Sequence, residues 1–125
     1  MYLHEQICDE SGKAYDMTGL VKGKCEKKSG LQRFGYVVLS PAEGGEGRML
    51  KALNGMRGHE FHYYDSTDCG DDMIVNKAGD ERSWKAMHIS DSHVWGFPHM
   101  YFASCPGFVS EFAEVMSNRD LKQMV

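Results

Sequence analysis

Arg57-Gly58-His59-Glu60-Phe61-His62-Tyr63-Tyr64 is the stretch on which the fold turns. It is polar, aromatic and dense in titratable groups, yet Gly55/Gly58 on one side and Asp65-Ser66 on the other bound it as turn residues bound a strand. With a period of two, His59, Phe61 and Tyr63 face one way, and Glu60, His62 and Tyr64 the other. Two uses fit that pattern. Glu60 and His62 are solvated on a half-exposed strand, or they belong to a site.

Outward toward the carboxyl end, Asp65 to Asp72 is expected to be loop, its acidic pair Asp71-Asp72 solvated. Met73-Ile74-Val75 and Trp84 to Ile89 read as hairpin strands around a turn over 77–83. The aromatic-rich segment His93 to Ser104 places His99 between Phe97 and Tyr101, which share its face at strand spacing. Pro98 lacks a backbone donor, which favours an edge position for this strand. A histidine at a strand end beside a loop is where open α/β sheets put catalytic groups. From its chemistry alone His99 is either a general base or a structural histidine. Cys105-Pro106 then opens an amphipathic helix with Phe108, Val109, Phe112, Val115 and Met116 as its packing stripe and Glu111, Glu114, Asn118 and Arg119 on the wet side.

Outward toward the amino end, Arg33 to Leu39 is the strongest strand signal, rich in β-branched and aromatic residues and closed by Ser40-Pro41. Ala42 to Gly47 is a flexible turn without the G-x-x-x-x-G-K-[ST] pattern of a phosphate loop, and Met49, Leu50 and Leu53 support one helical turn. Lys22, Lys24, Lys27, Lys28 and Arg33 form a basic cluster expected on a solvated loop, after a short strand over Met17 to Val21. Tyr2, Leu3 and Ile7 have near-helical spacing, but no cap precedes Met1, so this helix reads as one whose beginning lies elsewhere. The expected architecture is α/β, a strand-rich middle with helices at both ends.

The chain has 125 residues, which makes one domain at most. Asp plus Glu (18) exceed Lys plus Arg (14), and the net charge of -4 gives no electrostatic footprint for nucleic acid or an anionic membrane. Cys8, Cys25, Cys69 and Cys105 are far apart, with neither the C-x-x-C spacing of a zinc site nor a secreted disulfide framework. His59 and His62 fall on opposite faces of one strand and cannot readily share a metal ion. No apolar export segment or run of roughly 18 apolar residues occurs, so a cytoplasmic, membrane-free protein is expected.

Four segments carry a family resemblance. Arg57-Gly58-His59-Glu60-Phe61-His62-Tyr63 resembles the R-G-H-E-F-H-Y signature of cobyrinic acid a,c-diamide synthases, and His99-Met100-Tyr101-Phe102-Ala103-Ser104 resembles their H-L-H-F-A-S. Leu31-Gln32-Arg33-Phe34-Gly35-Tyr36 resembles the L-Q-x-x-G-Y of the family, and Met1-Tyr2-Leu3 the M-Y-L that follows its nucleophile elbow. The four occur in the family's order over most of the chain.

The resemblance implies a partial flavodoxin-like class I glutamine amidotransferase domain, its carboxyl-terminal portion, spanning residues 1–125. In that family a cysteine attacks the side-chain amide of glutamine and a histidine shuttles the proton. Ammonia passes to a partner domain that uses ATP and magnesium to activate corrinoid carboxylates. By position His99 matches the catalytic histidine, and Glu60, His62 and Tyr101 are substrate-binding or site-shaping. The nucleophile elbow and the ATP-binding domain are expected outside this chain. Cys8 lies about two helical turns beyond the elbow, and Cys105 opens a packing helix. Tyr101 replaces the second histidine of H-x-H.

The implied function is glutamine-dependent amidation of the a and c carboxylates of cobyrinic acid, with this chain inactive alone. Amidation of another tetrapyrrole such as sirohaem is an alternative. A further alternative is a non-catalytic module that pairs through an exposed sheet edge, with itself or with the other half of the domain.

Overall fold

The structure, a computed structural model, describes residues 1–117. In chain order its strands are β1 (His4–Cys8), β2 (Ala14–Asp16), β3 (Val21–Lys27) and β4 (Arg33–Pro41), followed by the short helix α1 (Arg48–Ala52). Next come β5 (Arg57–His62), β6 (Tyr64–Ser66), β7 (Met73–Lys77), β8 (Ser83–Ala86), β9 (His88–Ile89), β10 (Val94–Trp95) and β11 (His99–Tyr101). A single 3-10 turn, Phe102–Ser104, leads into helix α2 (Pro106–Ser117).

Two sheets result. One is ordered β2-β1-β3-β6, the other β11-β5-β4-β7-β8, and a small β10-β9 ribbon stands beside them. The larger sheet is antiparallel throughout, and β1 with β3 is the only parallel strand pair among the described residues. The α/β, strand-rich class with a carboxyl-terminal helix is therefore as expected, and Pro98 does precede an edge strand.

The amino end differs from expectation. His4–Cys8 is a strand, held parallel to β3 and antiparallel to β2. An uncapped segment of eight residues is too short to stay helical by itself, and the ladder gives its backbone groups partners on both sides. The basic cluster is not a loop either. Lys22, Lys24 and Lys27 belong to β3, whose Val21 and Cys25 are buried while the lysines lie toward solvent. The strand expected over Met17 to Val21 is displaced to the two flanking segments, β2 and β3.

The larger sheet has two unlike faces. Val37 and Leu39 of β4, Met73 and Val75 of β7 and Ala86 of β8 are buried against Met49, Leu50, Leu53, Met56, Met87 and Phe108 to make the core. The residues between them point the other way. Register puts Phe34, Tyr36 and Val38 beside Phe61, His59 and Arg57 of β5, and His99 and Tyr101 of β11 opposite His59 and Arg57. Asn76 and Ile74 of β7, with Ser83 and Lys85 of β8, continue this face. No helix among the described residues covers it, and Tyr36 is 77% exposed.

Helix α2 packs less completely than its stripe suggests. Phe108 is buried and Val115 touches the core, whereas Val109, Phe112 and Met116 are exposed. Arg48 at the start of α1 reaches Glu111 (2.6 Å) and Glu114 (3.1 Å), tying the two helices together. Glu111 is thus largely shielded, and Asn118 and Arg119 lie outside the described residues. Of the acidic pair, Asp71 is exposed, but Asp72 accepts the Ile89 amide at 2.6 Å and so shapes the β8–β9 corner.

Candidate functional site

Strand β5 divides the residues singled out in the sequence between two surfaces. Glu60 is 2% exposed and His62 is mostly covered, on the core side of the sheet. His62 Nε2 lies 3.3 Å from Glu60 Oε2, its Nδ1 2.7 Å from the Tyr64 carbonyl, and its ring stacks on Phe97 at 4.4 Å. The solvated alternative for this pair is thereby corrected. Arg33, opposite His62 in register, instead lays its guanidinium over the Trp84 ring at 5.0 Å.

His99 and Tyr101 sit on the open face. The His99 ring lies 5.0 Å from that of His59, and both are exposed. Phe97 does not share this face, contrary to the period-two expectation, because β11 begins only at His99 and the chain turns at the buried Pro98. Gly58 is what allows β11 this close. A Cβ there would stand 2.5 Å from the His99 carbonyl oxygen. Around these histidines the open face is aromatic. Phe34 meets Phe61 edge-on at 5.8 Å, and Phe61 meets Tyr63 at 5.9 Å.

Neither face brings a cysteine to His99 through any contact among the described residues. Cys105 Sγ points to the Asn54 carbonyl at 3.5 Å. Cys25 Sγ is 3.5 Å from His4 Nδ1, but this pair is enclosed in the smaller sheet, with Cys25 fully buried. Burial pushes the thiols of Cys25 and Cys69 up, which keeps them protonated. His4 is itself committed. Its Nε2 lies 2.6 Å from Ser66 Oγ and 3.2 Å from the Asp68 carbonyl.

A groove of about 240 Å³ runs beside this cluster, between Leu3, His4, Asp68, His88, Trp95 and Phe97. His88 Nε2 lies 3.4 Å from Asp68 Oδ1. Met87 makes that approach, since its positive φ of 73° ends the β8 pairing and swings His88 out to pair with β10. Sequence reasoning missed this pair. The two residues are far apart in the chain, and no local pattern announces a left-handed methionine. The pairing of His59 with His99 was also missed, though strand periodicity in both segments hinted at it.

The chain has no phosphate-loop pattern, and among the described residues no three His, Cys, Asp or Glu side chains are grouped to hold a metal ion. Likewise no helix among them is long and apolar enough to cross a membrane.

The geometry defines a strand-rich α/β unit that offers one open, histidine-bearing sheet face and one buried Glu–His pair. No family model matches the chain. Curated proteins do. It is 28% identical over 120 residues, 94% of its length, to a cobyrinate a,c-diamide synthase of Caldanaerobacter subterraneus subsp. tengcongensis. It is 30% identical over 115 residues, 89% of its length, to a protein of that name from Fusobacterium nucleatum subsp. nucleatum. The motif resemblance is thus borne out across the chain. The chain spans about a quarter of the length of each relative, 26% and 24% respectively.

Proposed function

We propose that this chain is part of a glutamine-using, ATP-dependent cobyrinate a,c-diamide synthase of the cytoplasm and supplies the histidine-bearing wall of its glutaminase site. The observation that carries this reading is the similarity to two synthases over nine-tenths of the chain. The exposed position of His99, in the H-M-Y-F-A-S segment, agrees with it.

In this reading β1 and β3, the parallel pair, belong to a flavodoxin-like sheet, and the antiparallel sheet extends it. His99 accepts the proton of a cysteine thiol borne elsewhere in the synthase. The thiolate adds to the side-chain amide carbon of glutamine, and the imidazolium returns the proton to the departing nitrogen as ammonia. Water then cleaves the thioester to release glutamate. Tyr101, beside His99 on the open face, shapes the approach, while Glu60 and His62 hold β5 from behind.

A chimera tests the reading. The matching segment of the Fusobacterium nucleatum protein is replaced by this chain, and amidated cobyrinate is followed by mass spectrometry with glutamine as nitrogen donor. Amidation is expected, and His99→Ala should abolish it with glutamine while leaving activity with ammonium salts. Equal glutamine-dependent turnover in the His99→Ala chimera would remove His99 from this role. A folded chimera inactive with either nitrogen source would count against the reading itself.

A further inference from the structure

Four of the six histidines commit their ring nitrogens to protein partners. His4 contacts Ser66 and the Met1 and Asp68 carbonyls, and His62 contacts Glu60 and the Tyr64 carbonyl. His88 contacts Asp68, and His93 contacts Ser90 and Ser92. His59 and His99 are the exceptions. Among the described residues neither ring makes a hydrogen bond or an ion pair, and both are exposed. Their ring centres stand 5.0 Å apart at a tilt of 32°, and register sets them directly opposite each other on β5 and β11.

Two imidazoles that face each other across a strand pair, with their lone pairs free, are a ligand set. Zinc takes imidazole nitrogen at about 2.0–2.1 Å, so two such ligands on a tetrahedral ion lie about 3.4 Å apart. Side chains opposite in an antiparallel pair start from Cβ atoms about 5 Å apart, and small rotations of the rings then reach that separation. The backbones beneath are held. Gly58 admits β11 so closely that a Cβ would stand 2.5 Å from the His99 carbonyl oxygen. The Arg57 amide donates to Ser104 Oγ at 2.9 Å, which ties the chain after β11 back to β5. Because β11 is an edge strand, its outer side leaves room for water to complete a coordination shell. Around the pair, register places Arg57, Phe61, Tyr36 and Tyr101, none of them a carboxylate. Magnesium, which takes oxygen ligands, finds no carboxylate among them, and the Arg57 charge opposes an ion held by charge alone. What remains favourable is nitrogen ligation of a zinc-like ion.

We infer that His59 and His99 form a two-imidazole clamp for a divalent ion of the zinc class, with water as the remaining ligands. His62 lies on the other face of β5, so the partner that His59 lacks along its own strand is supplied by β11. The clamp stands on geometry alone, while its consequence for catalysis rests on the proposed function. In a neutral imidazole one nitrogen carries the proton and the other the lone pair. A ligated His99 has no lone pair left to take a thiol proton, so zinc held there switches off the use of glutamine and spares the use of free ammonia.

The test titrates the full chain with zinc chloride, followed by calorimetry and by the imidazole NMR signals. One zinc per chain should bind, with shifts at His59 and His99, and magnesium chloride should produce neither. His59→Asn and His99→Asn should each weaken zinc binding about tenfold, and the double variant little further, because one imidazole of a clamp loses most of its use without the other. His93→Asn should leave binding unchanged. Two zinc ions per chain, with independent losses in the two variants, would overturn the clamp. So would shifts at His88, His93 or a cysteine in place of His59 and His99, or affinity that survives both substitutions. On the chimera, glutamine-dependent amidation should fall with zinc occupancy while ammonium-dependent amidation persists, and His59→Asn should remove that sensitivity. Zinc-insensitive use of glutamine by a chimera that binds zinc would overturn the effect on catalysis. Clamping is read on the chain alone and amidation on the chimera without zinc, so either result can fail without the other.

Discussion

The His62 imidazole approaches the buried Glu60 carboxylate at 3.3 Å, two residues along the same strand and on the same covered face of the sheet. A carboxylate with 2% exposure has lost nearly all its water, and His62 is the polar partner within reach of its Oε2. We predict that His62→Ala destabilises the chain by about 2–4 kcal/mol, since it leaves an uncompensated acid and empties the Phe97 stack. Glu60→Gln, which keeps a hydrogen-bonding group, should cost about half of that. Urea midpoints at neutral pH measure both. Equal, sub-kilocalorie effects would mean that the pair is wet.

Gly58 lets β11 lie against β5, because any Cβ there meets the His99 backbone oxygen. Gly58→Ala is therefore expected to cost about 1–3 kcal/mol and to loosen β11 before the core. Amide exchange at Met100 and Tyr101 should accelerate in this variant while exchange in β4 and β7 does not. Uniform acceleration would point to general destabilisation instead.

None of the cysteines described is placed to serve His99, and the one beside a histidine, Cys25, is sealed and held protonated by burial. The chain by itself should accordingly release no ammonia from glutamine above background. Ammonia release lost on His99→Ala would contradict this. A thiol reagent such as DTNB should label Cys25 only on unfolding and Cys69 slowly, because neither offers thiolate at neutral pH.

Glu26 sits between Lys24 and Lys28, whose hydrogen bonds hold its carboxyl down to about 2. A folded-state value below the unfolded one adds stability that is complete above the ordinary carboxylate range and is lost as pH falls through the folded value. The exposed setting makes the contribution small. Carboxyl-carbon NMR should place the Glu26 midpoint near 2 in wild type, moving toward the ordinary range in Lys24→Gln/Lys28→Gln. An unmoved midpoint would show that the lysines are not its cause.

Much was legible where one residue type does one job. Pro41 and Gly47 bracket the turn before α1, and Pro98 fixes β11 as an edge. The apolar run of Arg33 to Leu39 declares a strand, and the spacing of Phe108 and Val115 declares α2. Four short motifs carried the resemblance to synthases before any coordinate did. Legibility ended where pairing decided the outcome. Residues 1–8 have helical spacing, yet β3 offers them a ladder, and a short uncapped helix cannot compete.

Sequence alone therefore determined the class, the kinship and the alternation of β5, since side-chain direction along a strand follows from backbone geometry. It could not say which side of β5 would be covered. The core against Leu39 and Val75 claimed the Glu60/His62 side and left His59, Phe61, His99 and Tyr101 to the open face. Burial is settled by what packs from other elements, and local pattern carries no record of it. The same holds for His88 and Asp68, which meet only because Met87 turns the chain where a left-handed residue could not be foreseen.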